Sequence, residues 1–186
     1  MTVAYGTQVA VGDGEARSME LIEVGDTAWA GGPSLQWGGA RVSFSMGAPP
    51  SPERPPIMVY VHFGDEEIVA TPDHPLLLSD GRLVRSRQLY PRASLMRANG
   101  QSALVDFVVA GQFNGGLHDI AVNGADPTGS LDGHLIVTNG IVSGDFALQT
   151  HGGWADANLP AIGTRAYEEA YALEPPISPA AAFFER

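Results

Sequence analysis

The chain is 186 residues long, with a net charge of −11 and no cysteine. That length makes one domain with a sizeable core the default, and 44% hydrophobic against 17% charged residues reads as globular rather than disordered. All 10 cationic side chains are arginine, with no basic run to engage phosphates, so nucleic acid is not an expected partner. The missing thiols remove disulfides, thiolate metal sites and cysteine nucleophiles.

In chain order, residues 2–30 alternate as β structure does, with Thr7, Val9 and Val11 on one face. Gly12-Asp13-Gly14 marks a turn. Met19–Val24 reads as a helical turn or a strand, and Gly25-Asp26 turns the chain into a strand at Thr27–Ala30. Residues 31–56 are rich in Gly, Pro and Ser and predict an inserted, exposed loop; the prolines of Ala48–Pro56 lack the donor a ladder needs. Ile57–Phe63 and Glu66–Thr71 predict a hairpin turning at Gly64-Asp65. Leu76–Leu78 leads into a turn at Ser79–Arg82. Residues 82–98 carry further strand and short helical pieces, with Arg82, Arg85, Arg87, Arg92 and Arg97 reading as a solvated face.

Ala103–Gln112, Ile120–Val122 and Leu135–Val137 are strand-like, and Asn139-Gly140 turns the last of these into Ile141-Val142. Residues 148–186 predict a C-terminal extension with one short helix over Thr164–Leu173. There Tyr167, Ala170, Tyr171 and Leu173 fall at helical spacing, with Glu168 and Glu169 outside. Pro175, Pro176 and Pro179 stop it. With 23 Gly and 14 Pro, short strands are favoured over long helices.

No apolar run approaches the roughly 20 residues of a membrane helix, and the first residues lack a signal-peptide pattern. No membrane association is therefore expected. A cytoplasmic location follows by default, with a secreted host protein left open. The 5 histidines show no zinc-ligand spacing, so no metal or other cofactor is expected.

Three blocks carry the chemistry. The first is Thr2-Val-Ala-Tyr-Gly6-Thr7, continued by Val9, Asp13-Gly14, Leu21-Ile22 and Gly25-Asp26. The second is Thr71-Pro-Asp-His74-Pro75 with a following Asp80-Gly81. The third holds Asp119 inside His118–Val122 and His134 ahead of Asn139-Gly140. In this order and at these separations they resemble the Hint family, the fold shared by inteins and the autoprocessing part of Hedgehog proteins, over residues 2–147.

The resemblance implies an all-β disc of many short antiparallel strands, with the two ends of the core meeting at one amide-sized pocket. It implies Thr2 as nucleophile and Thr71 as the hydroxyl that holds the scissile amide. It implies His74 as the acid that protonates the amide nitrogen, a task that suits histidine's near-neutral pKa. Asp119 would contact the nucleophile region, and His134 would assist at the far junction. The plainer alternatives are a turn cap for Thr71 and His74, a strand end for Asp119 and a satisfied turn residue for His134.

Two departures shape the functional expectation. The family nucleophile is usually Cys and sometimes Ser; threonine adds a methyl that crowds attack, and a hydroxyl needs more activation than a thiol. Inteins end in His-Asn, where Gly144 and Asp145 stand here. Aspartate cyclises far less readily than asparagine, so full splicing is not expected, whereas a Hedgehog-like layout does not need that ending.

The expected activity is single-turnover cleavage of the peptide bond before Thr2 by N-to-O acyl shift, with the upstream polypeptide as partner. Met1 alone precedes Thr2, so that segment belongs to a longer chain, or trimming of Met1 exposes the threonine amine. The alternative is a non-catalytic Hint scaffold that binds a protein partner through its Pro-rich loop and added helix. A third reading is an N-terminal threonine hydrolase using the Thr2 amine as base; such enzymes normally have a larger layered α/β body.

Overall fold

The computed structural model describes residues 2–124, 127, 129–151 and 153–171. The first half of the chain forms β1 (Val3–Ala4), β2 (Gln8–Gly12), β3 (Glu15–Ser18), β4 (Thr27–Gly31), β5 (Gly38–Ala48), β6 (Ile57–Phe63), β7 (Glu66–Ala70), β8 (Pro75–Leu77) and β9 (Leu83–Arg85). The second half adds β10 (Ser94–Met96), β11 (Ser102–Leu104), β12 (Phe107–Gln112), β13 (Leu117–Val122), β14 (Leu135–Thr138) and β15 (Ile141–Gly144). Two short helices follow, α1 (Phe146–His151) and α2 (Arg165–Tyr171). The strands make one antiparallel sheet along the path β12-β6-β7-β1-β13-β5-β4-β14-β15-β8-β9, with β2 and β3 attached at β14, and a separate β10-β11 pair. The molecule is all-β, as the resemblance implied.

Alternation decides which side chains go inside. Val59, Val61 and Phe63 of β6 meet Ile68 and Ala70 of β7, Val3 of β1 and Ile120 and Val122 of β13 in one core cluster. Val9 and Thr7 are buried, and Val11 packs against the same cluster, as the period of two requires. A second cluster gathers Leu77, Leu83, Leu135, Val142 and Leu148.

Local turn chemistry closes the strands. Asn139 and Gly140 have φ of 45° and 79°, the pair of positive values of a type I′ hairpin turn between β14 and β15. The Asn139 side chain then reaches two other strands: its Oδ1 accepts from the Gln8 amide at 2.7 Å and its Nδ2 donates to the Glu67 carbonyl at 2.7 Å. One turn residue thereby fixes β2 and β7 around the β14–β15 hairpin. At the chain start, Gly6 adopts φ 87°, a conformation costly for any side chain, and Thr7 Oγ1 donates to the Ala4 carbonyl. This sharp bend sets the direction in which β1, and Thr2 before it, enters the sheet.

Two sequence expectations need correction. The loop expected over residues 31–56 is much shorter, because residues 38–48 form β5, the strand between β13 and β4. Ala40 and Val42 point into the core while Arg41 lies exposed, an alternation hidden by the glycines around it. Residues 49–56 do lie outside the strands and are largely exposed.

The C-terminal part carries two described helices rather than one, since α1 begins directly after Asp145. The helix expected at 164–173 is α2. Its Tyr167 is buried and donates through its hydroxyl to the Leu89 carbonyl at 2.6 Å; Tyr171 stacks on Tyr90 at 4.6 Å. Ala170 is exposed rather than on the packed face. Leu173 and the three terminal prolines lie outside the described residues. Four of the five arginines of residues 82–97 are engaged by acids: Arg82 with Asp80, Arg85 and Arg87 with Asp73, and Arg97 with Glu66.

Candidate functional site

Strand register brings the chemistry-bearing residues into two groups of three. β1 lies between β7 and β13, with Val3 opposite both Ala70 and His118. One step earlier along β1, the same registers set Thr2 between Thr71 and Asp119. Backbone and side-chain bonds fix that placement: the Thr71 amide donates to the Thr2 carbonyl at 2.8 Å, and the Thr2 amide donates to Thr71 Oγ1 at 2.9 Å.

On the other side of the sheet path, β15 lies between β8 and β14. Ser143 faces Leu76 and Gly144 faces Leu135, so the next residue, Asp145, falls between His74 and His134. Its amide donates to the His134 carbonyl at 2.9 Å, and its Oδ2 lies 3.1 Å from His134 Nδ1.

The turn Thr71–His74 joins the two groups. The His74 amide donates to the Thr71 carbonyl at 2.9 Å. Ser86, fully buried, braces the turn from outside: its hydroxyl donates to the Thr71 carbonyl at 2.6 Å and its amide to the His74 carbonyl at 2.8 Å. The Arg87 amide donates to the Pro72 carbonyl. A second link crosses from β13: the Val122 amide donates to Asp145 Oδ2 at 3.0 Å. Thr2, Thr71, His74, Asp119 and His134 are thus gathered at one end of the strands. His118, next to Asp119, points to the opposite face as strand alternation dictates, where its Nε2 lies 2.8 Å from Ser45 Oγ.

Burial controls the protonation states. His74 is 1% exposed, and neither ring nitrogen has a hydrogen-bond partner of good geometry. Desolvation pushes its pKa down to about 4, so the ring is neutral at neutral pH. Asp119 is 2% exposed; its Oδ1 accepts from the Ile120 amide, while Oδ2 has no partner. Burial raises its carboxyl well above the usual carboxylate range, and the nearby Asp145 adds to the rise. Buried polar atoms left unpaired each cost about 1–3 kcal/mol and are uncommon away from functional sites. Here His74 and Asp119 carry such atoms, in the two groups just described.

The end of β15 is built differently. Asp145 caps helix α1: Oδ1 accepts from the Leu148 amide at 3.0 Å and the backbone carbonyl from the Gln149 amide at 3.1 Å. With Val122 and His134 on Oδ2, the carboxyl is held on both oxygens. Gly144 has no room for a side chain: a Cβ there would lie 2.7 Å from Pro75 Cγ and 3.1 Å from Leu148 Cδ1.

Ser86, Gln149 and the partnership of Asp145 with His134 were not read from sequence. Ser86 gives no signal, because its role rests on a 15-residue separation closed by folding. Asp145 did give one: an aspartate before Phe-Ala-Leu is a helix N-cap pattern.

No helix among the described residues is long and apolar enough to cross a membrane. No protein-family model matches the sequence, and no curated protein sequence matches it. Solved structures do match in fold. A bacterial intein-like domain from Clostridium thermocellum superposes with a TM-score of 0.64 at 17% identity, covering 78% of this chain and 99% of that one. The gp41-1 intein gives 0.58 at 18% identity, covering 77% and 98%. A DnaB intein from Synechocystis sp. gives 0.55 at 18% identity, covering 78% and 99%. With the strand path and the convergence of the chain's start, middle turn and last hairpin already described, these superpositions identify the fold as that of the Hint and intein domains.

Proposed function

We propose that this domain cleaves the peptide bond preceding Thr2 by an N-to-O acyl shift, without splicing. The observation that carries the reading is the hydrogen bond from the Thr2 amide to Thr71 Oγ1, made beside a buried, neutral His74. That amide nitrogen is the leaving atom of the reaction.

The steps balance within the chain's own groups. Thr2 Oγ1 attacks the carbonyl carbon of the preceding residue through a five-membered ring. A C–O bond forms, the C–N bond breaks, and the hydroxyl proton ends on the Thr2 nitrogen. A neutral His74 suits both halves, accepting the proton from the hydroxyl and returning it to the departing nitrogen. This replaces the simpler expectation of a resting imidazolium acid, because burial removes that form at neutral pH. Asp119 lies opposite Thr2, and the upward shift of its carboxyl favours the protonated form, which donates a hydrogen bond where charge develops. The ester is then lost to water or another nucleophile, and the upstream polypeptide is the substrate.

Splicing requires release at the downstream junction, and the geometry there opposes it. Asp145 is tied through both carboxyl oxygens, and Gly144 offers no side chain to assist. His134 holds Asp145 in this reading rather than assisting cleavage.

The test is a fusion carrying a folded upstream segment in place of Met1, followed by intact mass over time. The native sequence should release the segment and Thr2→Ala should not. Thr2→Cys should accelerate release, since a thiol is the better nucleophile. A fusion that stays whole with both threonine and cysteine would leave the non-catalytic scaffold as the correct reading.

A further inference from the structure

Helix α1 reaches back into the site through one side chain. Gln149 is 5% exposed, and its Nε2 donates to Thr71 Oγ1 at 3.0 Å. Its Oε1 is buried without a hydrogen-bond partner of good geometry, as are both nitrogens of His74 beside it. Gln149 stands four residues beyond Asp145, past the position where an intein would end. A residue on the downstream side is therefore built into the chemistry at the upstream junction.

A hydroxyl oxygen accepts two hydrogen bonds and donates one. Thr71 Oγ1 accepts from the Thr2 amide and from Gln149 Nε2. Both lone pairs are thus committed, and the hydroxyl cannot rotate to donate to the Thr2 side. The carboxamide that donates to Thr71 turns its oxygen toward the His74 ring, where it favours a ring N–H against the burial that opposes proton binding. Oxygen and ring are the mutual solution to each other's missing hydrogen bond, and such contacts commonly tighten only when the reacting group is in place.

We propose that Gln149 is a positioning residue for the reaction at Thr2: it fixes the Thr71 hydroxyl as acceptor of the scissile N–H and sets the orientation and tautomer of His74, which makes helix α1 an obligatory part of the site. The inference rests on the acyl-shift reading for its effect on rate, but not for its effect on His74. One consequence is that the domain retains its downstream flank, because release after Asp145 would remove Gln149 from the site.

The experiment uses the full chain with the upstream fusion and two variants, Gln149→Leu and Gln149→Glu. Leucine removes both hydrogen-bonding groups; glutamate keeps an acceptor and adds charge. Two quantities are read: the cleavage rate, and the titration and tautomer of His74 by nitrogen-15 NMR in folded protein. Gln149→Leu should slow cleavage by about tenfold or more, the loss expected when a reacting group is held less well. It should also lower the His74 pKa further. Gln149→Glu should raise that pKa.

A His74 titration unchanged in both variants would overturn the proposal, whatever the rates. Should leucine prevent folding, glutamate alone decides by the sign of its shift. If the unaltered fusion does not cleave, the acyl-shift reading fails, and the His74 titration still tests the placement of Gln149.

Discussion

Thr71 and His74 form the turn beside Thr2, and burying the His74 ring there carries a stability cost. His74 is buried and its pKa lies at about 4 rather than 6.5. The unfolded chain therefore binds more protons between those values, and stability falls as pH drops from 6.5 toward 4. The full effect is on the order of 3 kcal/mol. Denaturant unfolding from pH 7 to pH 4.5 should show this slope in the native sequence and lose most of it in His74→Leu.

Asp119 works in the opposite sense. Its folded pKa is raised, so its contribution is present at low pH and declines as pH rises through the raised value. Asp119→Asn should accordingly unfold at higher denaturant than the native chain at pH 7 while slowing cleavage. A residue kept at a cost to stability points to use; an unchanged midpoint would remove that argument. Ser86→Ala deletes the hydroxyl that braces the Thr71–His74 turn. It should cost about 1 kcal/mol in unfolding free energy and slow cleavage beyond what that loss explains.

At the level of elements, Asp145 starts helix α1. Gly144→His would drive a side chain into Pro75 and Leu148. Overpacking of this kind costs about 1–3 kcal/mol. The combined change Gly144→His with Asp145→Asn should yield a less stable protein and no downstream cleavage, checked by thermal unfolding and intact mass.

The Asn139 turn offers a second test. Asn139→Gly keeps the positive φ but loses the bonds to β2 and β7, so a loss of about 1–2 kcal/mol isolates the side chain's bracing role.

Elements also mark where sequence reading succeeds. Ile57–Phe63 and Glu66–Ala70 were legible because a run of alternating β-formers flanks a two-residue Gly-Asp turn. β5 was not, because Gly38, Gly39 and Gly47 give no hydrophobic signal while Ala40 and Val42 alone carry the core face. α1 is hidden for a different reason: its six residues are too few to show a helical repeat, and its one signal is the capping pattern at Asp145.

For the whole molecule, the convergence of distant segments was accessible only through the order of the three blocks. Thr2, Thr71 and Asp119 are separated by tens of residues, and no local periodicity says that β1 inserts between β7 and β13. The block order supplied that topology through its resemblance to a known fold. It could not supply Ser86 or Gln149, whose contacts span 15 and 78 residues and depend on this chain's own packing.

The same topology sets the site residues at one end of the sheet. Strands that enter and leave at one end place their flanking residues in rows, here Thr71–Thr2–Asp119 and His74–Asp145–His134.

On the acyl-shift reading, an ester at Thr2 would be the most direct sign that these rows act. Hydroxylamine added to the native fusion should release the upstream segment as its hydroxamate, identified by mass, and Thr2→Ala should give none. An upstream segment that remains attached by an amide in both proteins, or hydroxamate formed equally without the Thr2 hydroxyl, would contradict the account.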